Sequence, residues 1–178
     1  MSEEKGKRRH GLRLLLSGLL LLAVMGLIFY MSAQDAADSG DMSRGVYNSW
    51  LGQLLDRILP KLIGQSGENS LRKYAHLFEY FLLGLSSFLF IYELFWIRRA
   101  RFGKAMAVSF LWSVLYSCSD EWHQTFVPGR SGQLLDVCLD SIGIVCGICF
   151  MSIVVLILQR RRKHASFAHR RENYGKAS

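Results

Sequence analysis

Acidic residues are scarce in this sequence. The chain has 14 aspartates and glutamates against 22 lysines and arginines, which gives a formal net charge of +8. At the same time 51% of its residues are hydrophobic, and the mean hydropathy is positive, at +0.18. This combination excludes an even mixture of apolar and basic residues along the chain, so the two kinds must be segregated.

Charge is absent from the segment Leu14 to Met31. Its length suits a membrane crossing, because a helix rises about 1.5 Å per residue and about 20 residues cover a hydrocarbon core of roughly 30 Å. Three more apolar segments follow, at about 75–97, 105–120 and 134–158. We predict an all-α membrane protein: a bundle of four transmembrane helices over residues 14–158, between basic tails at 1–13 and 159–178.

The first apolar segment lacks the cleavage site of a signal peptide. A basic stretch followed by an apolar run is typical of such peptides as well as of membrane spans. However, the run is longer than usual for a signal peptide, and Ala33 has no small residue two positions before it. These features favour a membrane span over a cleaved segment.

Cysteine is also infrequent, with four in the chain, of which Cys146 and Cys149 form a Cys-x-x-Cys motif. Such a motif suggests a thiol oxidoreductase. Cys146 lies twelve residues after Leu134, about 18 Å along a helix. That depth is near the middle of a membrane, where a thiolate is disfavoured, so we expect small packing residues instead.

Basic residues are distributed unevenly among the predicted tails and loops. The segments 1–13, 98–104 and 159–178 hold 5, 4 and 7 lysines and arginines, whereas the loop between the third and fourth spans holds Arg130 alone. The long loop between the first two spans has five, balanced by five acids. By the positive-inside rule, we expect both termini and the second connection to be cytoplasmic, in a cell membrane that the chain crosses several times.

The basic tails predict contacts with anionic lipid headgroups at the cytoplasmic surface. Nucleic-acid binding would also account for the high pI of about 9.6. Basic residues that flank membrane spans are nevertheless the ordinary result of topology, so we expect membrane lipid and no nucleic acid among the partners.

Unusual polar residues gather at the predicted outer ends of the spans. The end of the first span, the start of the second, the end of the third and the start of the fourth share this depth. The residues are Ser32, Gln34, Arg72, Lys73, His76, Glu79, Asp120, Glu121, His123, Gln124, Arg130, Asp136 and Asp140.

Helical spacing predicts that these side chains face the bundle interior. A charged group facing lipid costs roughly 2.5–3.5 kcal/mol near the helix centre, whereas groups facing one another can pair. On the fourth span, Asp136 and Asp140 continue at helical spacing into Gly143 and Gly147. This Gly-x-x-x-Gly pair predicts close contact with a neighbouring helix.

Two long segments carry a resemblance to a known family. "RKYAHLFEYFLLG" (Arg72 to Gly84) and "SDEWHQTFVPGRSGQLLDVCLDSIG" (Ser119 to Gly143), preceded by "FYMSAQ", resemble the VanZ-like membrane proteins. The family takes its name from an accessory protein in glycopeptide (teicoplanin) resistance. The resemblance covers roughly residues 14–158 and implies a bacterial membrane protein of the cell envelope, but it brings no settled mechanism.

Two functional interpretations remain open. In the first, the cluster is an active site for a lipid-linked envelope precursor: His76, Glu79, Asp120, Glu121 and His123 are the catalytic candidates and the other polar residues bind substrate. A divalent metal would fit these residue types, although no spacing is diagnostic of one. In the second, the protein is a non-catalytic binding protein whose polar cluster is a structural ion-pair network.

The long first loop contains an amphipathic pattern. Apolar residues recur at helical spacing from Tyr47 to Leu62, and Pro60 bends or ends the helix that this pattern predicts. Such a helix would lie on the outer leaflet beside the polar cluster, either as a spacer or as a lid over a lipid-linked substrate.

Overall fold

Four long helices make up most of the described chain. The computed structural model describes residues 2–34, 45, 48–49, 53–54, 68–96, 102–130 and 132–175. The helices are α1 (Ser2–Ser32), α2 (Glu68–Trp96), α3 (Phe102–Gln124) and α4 (Leu134–Gly175). The described residues contain no strand, which confirms the all-α class. The predicted amphipathic helix of the first loop lies almost entirely outside the described residues.

The first and last helices are longer than the apolar segments within them. α1 begins at Ser2, inside the basic N-terminal tail, and α4 continues to Gly175 through the basic C-terminal tail. Lysine, arginine and glutamate are good helix formers, so the helix does not have to end where the apolar residues end.

Three of the described helices are long and apolar enough to cross a membrane, in the segments Glu4–Ser32, Lys73–Phe95 and Leu134–Arg161. α3 has 23 residues but is not among them. It carries Lys104 near its start, acids near its end and several serines between them, which lower its hydropathy. The structure therefore has a helix where the third span is predicted, but the prediction of four spans is not confirmed.

α2 is the central helix of the bundle, and its most extensive contact is with α4. Gly143 and Gly147 of α4 lie against the α2 backbone, since a Cβ atom at these positions would overlap the carbonyl oxygens of Leu77 and Phe81. Gly84 of α2 meets the α4 backbone in the same way. The predicted close packing at the Gly-x-x-x-Gly pair is confirmed.

The bundle buries small polar residues and exposes large apolar ones. Ser86, Ser87, Ser109 and Ser113 are buried, whereas most leucines of α1 are exposed. Small residues and hydroxyl groups between helices, with apolar side chains outside, are typical of helices packed within lipid.

The four cysteines lie outside the core of the bundle. All of them, Cys118, Cys138, Cys146 and Cys149, are free and exposed on the bundle surface. The inward face of α4 is taken by Asp140, Gly143 and Gly147, so the three cysteines of α4 fall on the other faces of that helix.

A tight turn joins α3 to α4. The backbone N–H of Arg130 donates to the carbonyl of Val127 at 3.1 Å, and Gly129 has a φ of 75°. Pro128 followed by a glycine with positive φ fits a type II turn. This turn brings Arg130 back toward the helices.

Candidate functional site

The polar side chains converge at one end of the bundle, where α1 and α3 end and where α2 and α4 begin. We call this region the polar end and define it by Ser32, Glu79, Asp120 and Asp140. Contacts between helices hold it together: α2 bonds to α3, α3 bonds to α4, and α1 stacks on α3. The convergence predicted from topology is therefore present in the fold.

Asp120 is buried on α3 with a relative exposure of 4%. Its Oδ2 atom accepts hydrogen bonds from the Tyr80 hydroxyl at 3.0 Å and from Gln124 Nε2 at 3.1 Å. Both donors are neutral, and both are buried. The carboxylate is thus solvated by protein dipoles, as a buried polar group must be to avoid a large desolvation cost.

Asp140 is buried on α4, with 1% exposure, and its Oδ2 atom accepts a hydrogen bond of 2.8 Å from the Ser117 hydroxyl. It lies close enough to Asp120 and Glu121 for electrostatic interaction. Carboxylates that approach one another in a low-dielectric interior repel each other. This part of the site therefore attracts a positively charged or hydrogen-donating group.

His76 and Glu79 form a looser pair near the start of α2. His76 Nδ1 lies 3.9 Å from Glu79 Oε2, and their side chains are 21% and 13% exposed. The imidazole lies nearly parallel to the Tyr80 ring, with centroids 6.4 Å apart. Glu79 also interacts electrostatically with Asp120 and Arg130. The His76–Glu79 pair is therefore more exposed than Asp120 and Asp140 and lies between the buried aspartates and the surface of the bundle.

Glu121 holds the turn between α3 and α4. Its Oε2 atom accepts a hydrogen bond of 2.9 Å from the backbone N–H of Gln133. Gly132 lies so close to the Glu121 carbonyl that a Cβ atom there would overlap it. The buried carboxylate therefore fixes the path of the chain into α4.

Polar groups also surround the end of α1. The His123 ring stacks on Phe29 with centroids 4.8 Å apart, and Arg130 Nη2 donates to the Met31 carbonyl at 3.2 Å. Within the described chain, the buried atoms Ser32 Oγ and His123 Nε2 have no hydrogen-bond partner. Buried polar atoms are usually satisfied, so these two mark a place for a water molecule or a ligand group.

The remaining predicted residues lie around this core. Gln34, just beyond α1, is half-buried, as are Lys73 on α2 and Asp136 in the first turn of α4. The backbone of Arg72 belongs to α2, but its side chain lies outside the described part of the structure.

Tyr80 and Ser117 bond directly to the acids but were not among the candidates from the sequence. A signal for Ser117 was present: Ser109, Ser113 and Ser117 recur every four residues, which places them on one face of α3 leading to Glu121. Ser113 hydrogen-bonds to Ser87 of α2 at 2.9 Å. Tyr80 had no such signal, since a tyrosine among apolar residues is typical of a packed helix.

No cluster of three or more histidine, cysteine, aspartate or glutamate side chains in the described residues has the arrangement of a metal site. The acids instead take hydroxyl, amide and backbone donors. These residues do not converge on one point as metal ligands do.

Comparison with known proteins identifies one family. The family model described as VanZ/LLP1 matches residues 18–157, which include α2 and α3, parts of α1 and α4, and every residue that defines the polar end. Neither the curated proteins nor the solved structures include a match.

Proposed function

This chain belongs to the VanZ/LLP1 family, and from that premise we propose that it acts at the outer leaflet of the bacterial cell membrane on the polar head of a lipid-linked envelope component. Three of its described helices are long and apolar enough to cross a membrane.

The orientation requires α3 to be a fourth span. Its 23 residues extend about 34 Å at 1.5 Å per residue, which is enough to cross the hydrocarbon core. Leu111, Trp112 and Leu115 of α3 are exposed on the bundle surface, as expected for side chains that face lipid. With both termini in the cytoplasm, the polar end opens toward the outer leaflet.

One observation carries the proposed chemistry: a partly exposed His76–Glu79 pair interacts with the buried carboxylate of Asp120, which in turn interacts with the buried Asp140. A histidine next to a carboxylate is suited to general acid–base catalysis near neutral pH. The buried acids, fixed by Tyr80 and Ser117, would orient the donor groups of a sugar or amine head.

The other polar residues would bind the substrate. Arg130 supplies a guanidinium, which suits a phosphate group, and it lies at the end of α1 beside Met31. Ser32 and His123 offer the two buried polar atoms at the same place. A head group that carries phosphate toward α1 and hydroxyl or amine groups toward α3 and α4 would match this distribution of charge.

A second candidate function is non-catalytic binding, and the contact of Glu121 favours it at that residue. A carboxylate that accepts the Gln133 N–H has a structural reason to be there. In this interpretation the polar end recognises an envelope component or a partner. Binding alone, without chemistry, would then alter teicoplanin susceptibility.

Analysis of lipid-linked precursors distinguishes the two candidates. Cells that express the protein, His76→Gln or Glu79→Gln are compared by mass spectrometry of their extracted lipid-linked envelope precursors, at matched membrane abundance. Acid–base catalysis predicts that both variants abolish the change in the precursor pool. The control is Glu4→Gln, an exposed acid near the start of α1, which should behave as the unmodified protein. Retention of the change in both site variants would contradict catalysis by this pair.

A further inference from the structure

A cavity of about 700 Å³ lies at the end of the bundle opposite the polar end. It is formed between α1 and α4, which both pack on α2, with α2 as its floor. Glu93 on its edge is 14 residues along α2 from Glu79, or about 21 Å. The cavity is therefore separate from the polar end.

The walls of this cavity are apolar. Leu16 and Leu20 line it from α1, Leu89 from α2, and Val155 and Leu158 from α4. Leu20 lies seven residues beyond Arg13, so the apolar walls reach about 10 Å from the edge into the membrane. A volume in this range accommodates a ligand of about the size of a drug or a lipid chain.

The edge of the cavity is polar, and its side chains are held in place. Tyr92, Glu93 and Gln159 line it together with Arg13. Gln159 hydrogen-bonds to the Tyr92 hydroxyl, and His10 Nε2 lies 3.6 Å from Glu93 Oε2. Polar groups thus lie at one end of an apolar groove, an arrangement that matches an amphiphile with its head at the membrane surface.

The charge around the edge is predominantly positive. Arg9 and Arg13 are one turn apart on α1, and Arg160 and Arg161 directly follow Gln159 on α4; all four are exposed. The acid on the edge, Glu93, is already paired with His10. An anionic head group complements this edge, whereas a zwitterionic one gains less from it.

We propose that this cavity binds one anionic membrane phospholipid. One acyl chain occupies the groove between α1 and α4 along Leu16, Leu20 and Val155, and the phosphate lies at Arg13. The lipid fills the gap between two helices that each pack on α2, so bound lipid stabilises the bundle by linkage, as any ligand of the folded state does.

Native mass spectrometry of the delipidated full chain in detergent tests this proposal. The probes are phosphatidylglycerol and phosphatidylcholine with identical acyl chains. We expect one phosphatidylglycerol to bind about tenfold more tightly than phosphatidylcholine, and Arg13→Gln to remove most of that preference. Leu20→Trp fills the groove and should weaken the binding of both lipids.

The matched control for the groove is Leu27→Trp, because Leu27 is also an exposed leucine of α1, at 48% against 43% for Leu20, but does not line the cavity. It should leave both affinities unchanged. Equal affinity for the two lipids, an unchanged preference in Arg13→Gln, or a dimer that forms through this groove and excludes lipid would each overturn the proposal. Arg13 is exposed, so its variant keeps the test valid even if Leu20→Trp fails to fold.

Discussion

The hydroxyl of Tyr80 donates a hydrogen bond of 3.0 Å to the carboxylate of Asp120. The bond joins α2 to α3, and both side chains are buried, at 0% and 4% exposure. A charged group at such a position needs partners, because its desolvation is costly. The tyrosine therefore both stabilises the packing of the two helices and fixes the orientation of an acid at the polar end.

Tyr80→Phe removes this donor and leaves Asp120 Oδ2 with Gln124 alone. The expected loss in the free energy of unfolding is about 1–3 kcal/mol, the cost of a buried polar group that loses a partner. Unfolding of the purified protein in detergent measures it. Tyr30→Phe is the control, since Tyr30 is 64% exposed; equal stability of the two variants would show that the bond contributes nothing.

Gly147→Ala should separate α2 from α4. The added methyl group overlaps the Phe81 carbonyl, and overpacking of a close contact costs about 1–3 kcal/mol. Gly26→Ala on α1 meets no atom within 4 Å and should be neutral or stabilising by up to about 1 kcal/mol. Thermal unfolding in detergent compares the two. A Gly147→Ala protein as stable as the control would contradict the close approach of the helices.

The proposed topology predicts a pattern of labelling. In a variant without the native cysteines, single cysteines at positions 36–66 and 125–132 should react with an impermeant thiol reagent from outside the cell. Those at 99–103 and beyond 160 should react only after the membrane is opened. The four native cysteines are exposed, so their replacement by serine should be tolerated. The inverse pattern would move the polar end to the cytoplasmic face.

Arg130 tests whether the polar end binds substrate or only maintains the fold. Arg130→Ala removes the hydrogen bond to Met31 and a positive charge near Glu79, at a cost of about 2 kcal/mol for a charged hydrogen bond. If Arg130 binds substrate, Arg130→Ala should abolish the change in the pool of lipid-linked precursors even in membranes with normal protein levels. Arg130→Lys should restore that change poorly, because lysine cannot make the bidentate contact of a guanidinium.

The double variant Arg130→Ala/Glu79→Gln is informative only for the structural role, because Glu79 is itself a catalytic candidate. Membrane abundance is compared for the single and double variants by immunoblotting. If the double variant recovers both its membrane abundance and the change in the precursor pool, Arg130 serves only to neutralise Glu79.

The sequence was sufficient to predict the helices and the place where the polar side chains meet. Uncharged runs and charged flanks define the apolar segments. Because successive helices run in opposite directions, the ends of α1 and α3 and the starts of α2 and α4 lie at one depth, which brings together Ser32, Glu79, Asp120 and Asp140. Glycine spacing also predicted that α4 packs closely on a neighbouring helix, because small residues at every fourth position let two helix backbones approach each other. It did not predict that this helix is α2.

The partners within the site were beyond prediction from the sequence. Which donor reaches Asp120 depends on the rotation of α2 against α3, and a single sequence does not specify that angle. The serines of α3 also lower its hydropathy, so a helix that holds four of the predicted site residues is not among the candidate membrane spans.

The central claim is that the buried acids of the polar end carry the function. Its most direct test is teicoplanin susceptibility against membrane abundance for Asp120→Asn and Asp140→Asn, with Glu4→Gln as the control, because Glu4 is an exposed acid outside both the polar end and the cavity. The account predicts that the protein changes teicoplanin susceptibility, that both aspartate variants lose this effect per molecule of protein in the membrane, and that Glu4→Gln retains it. An unchanged effect per molecule in both aspartate variants would contradict it.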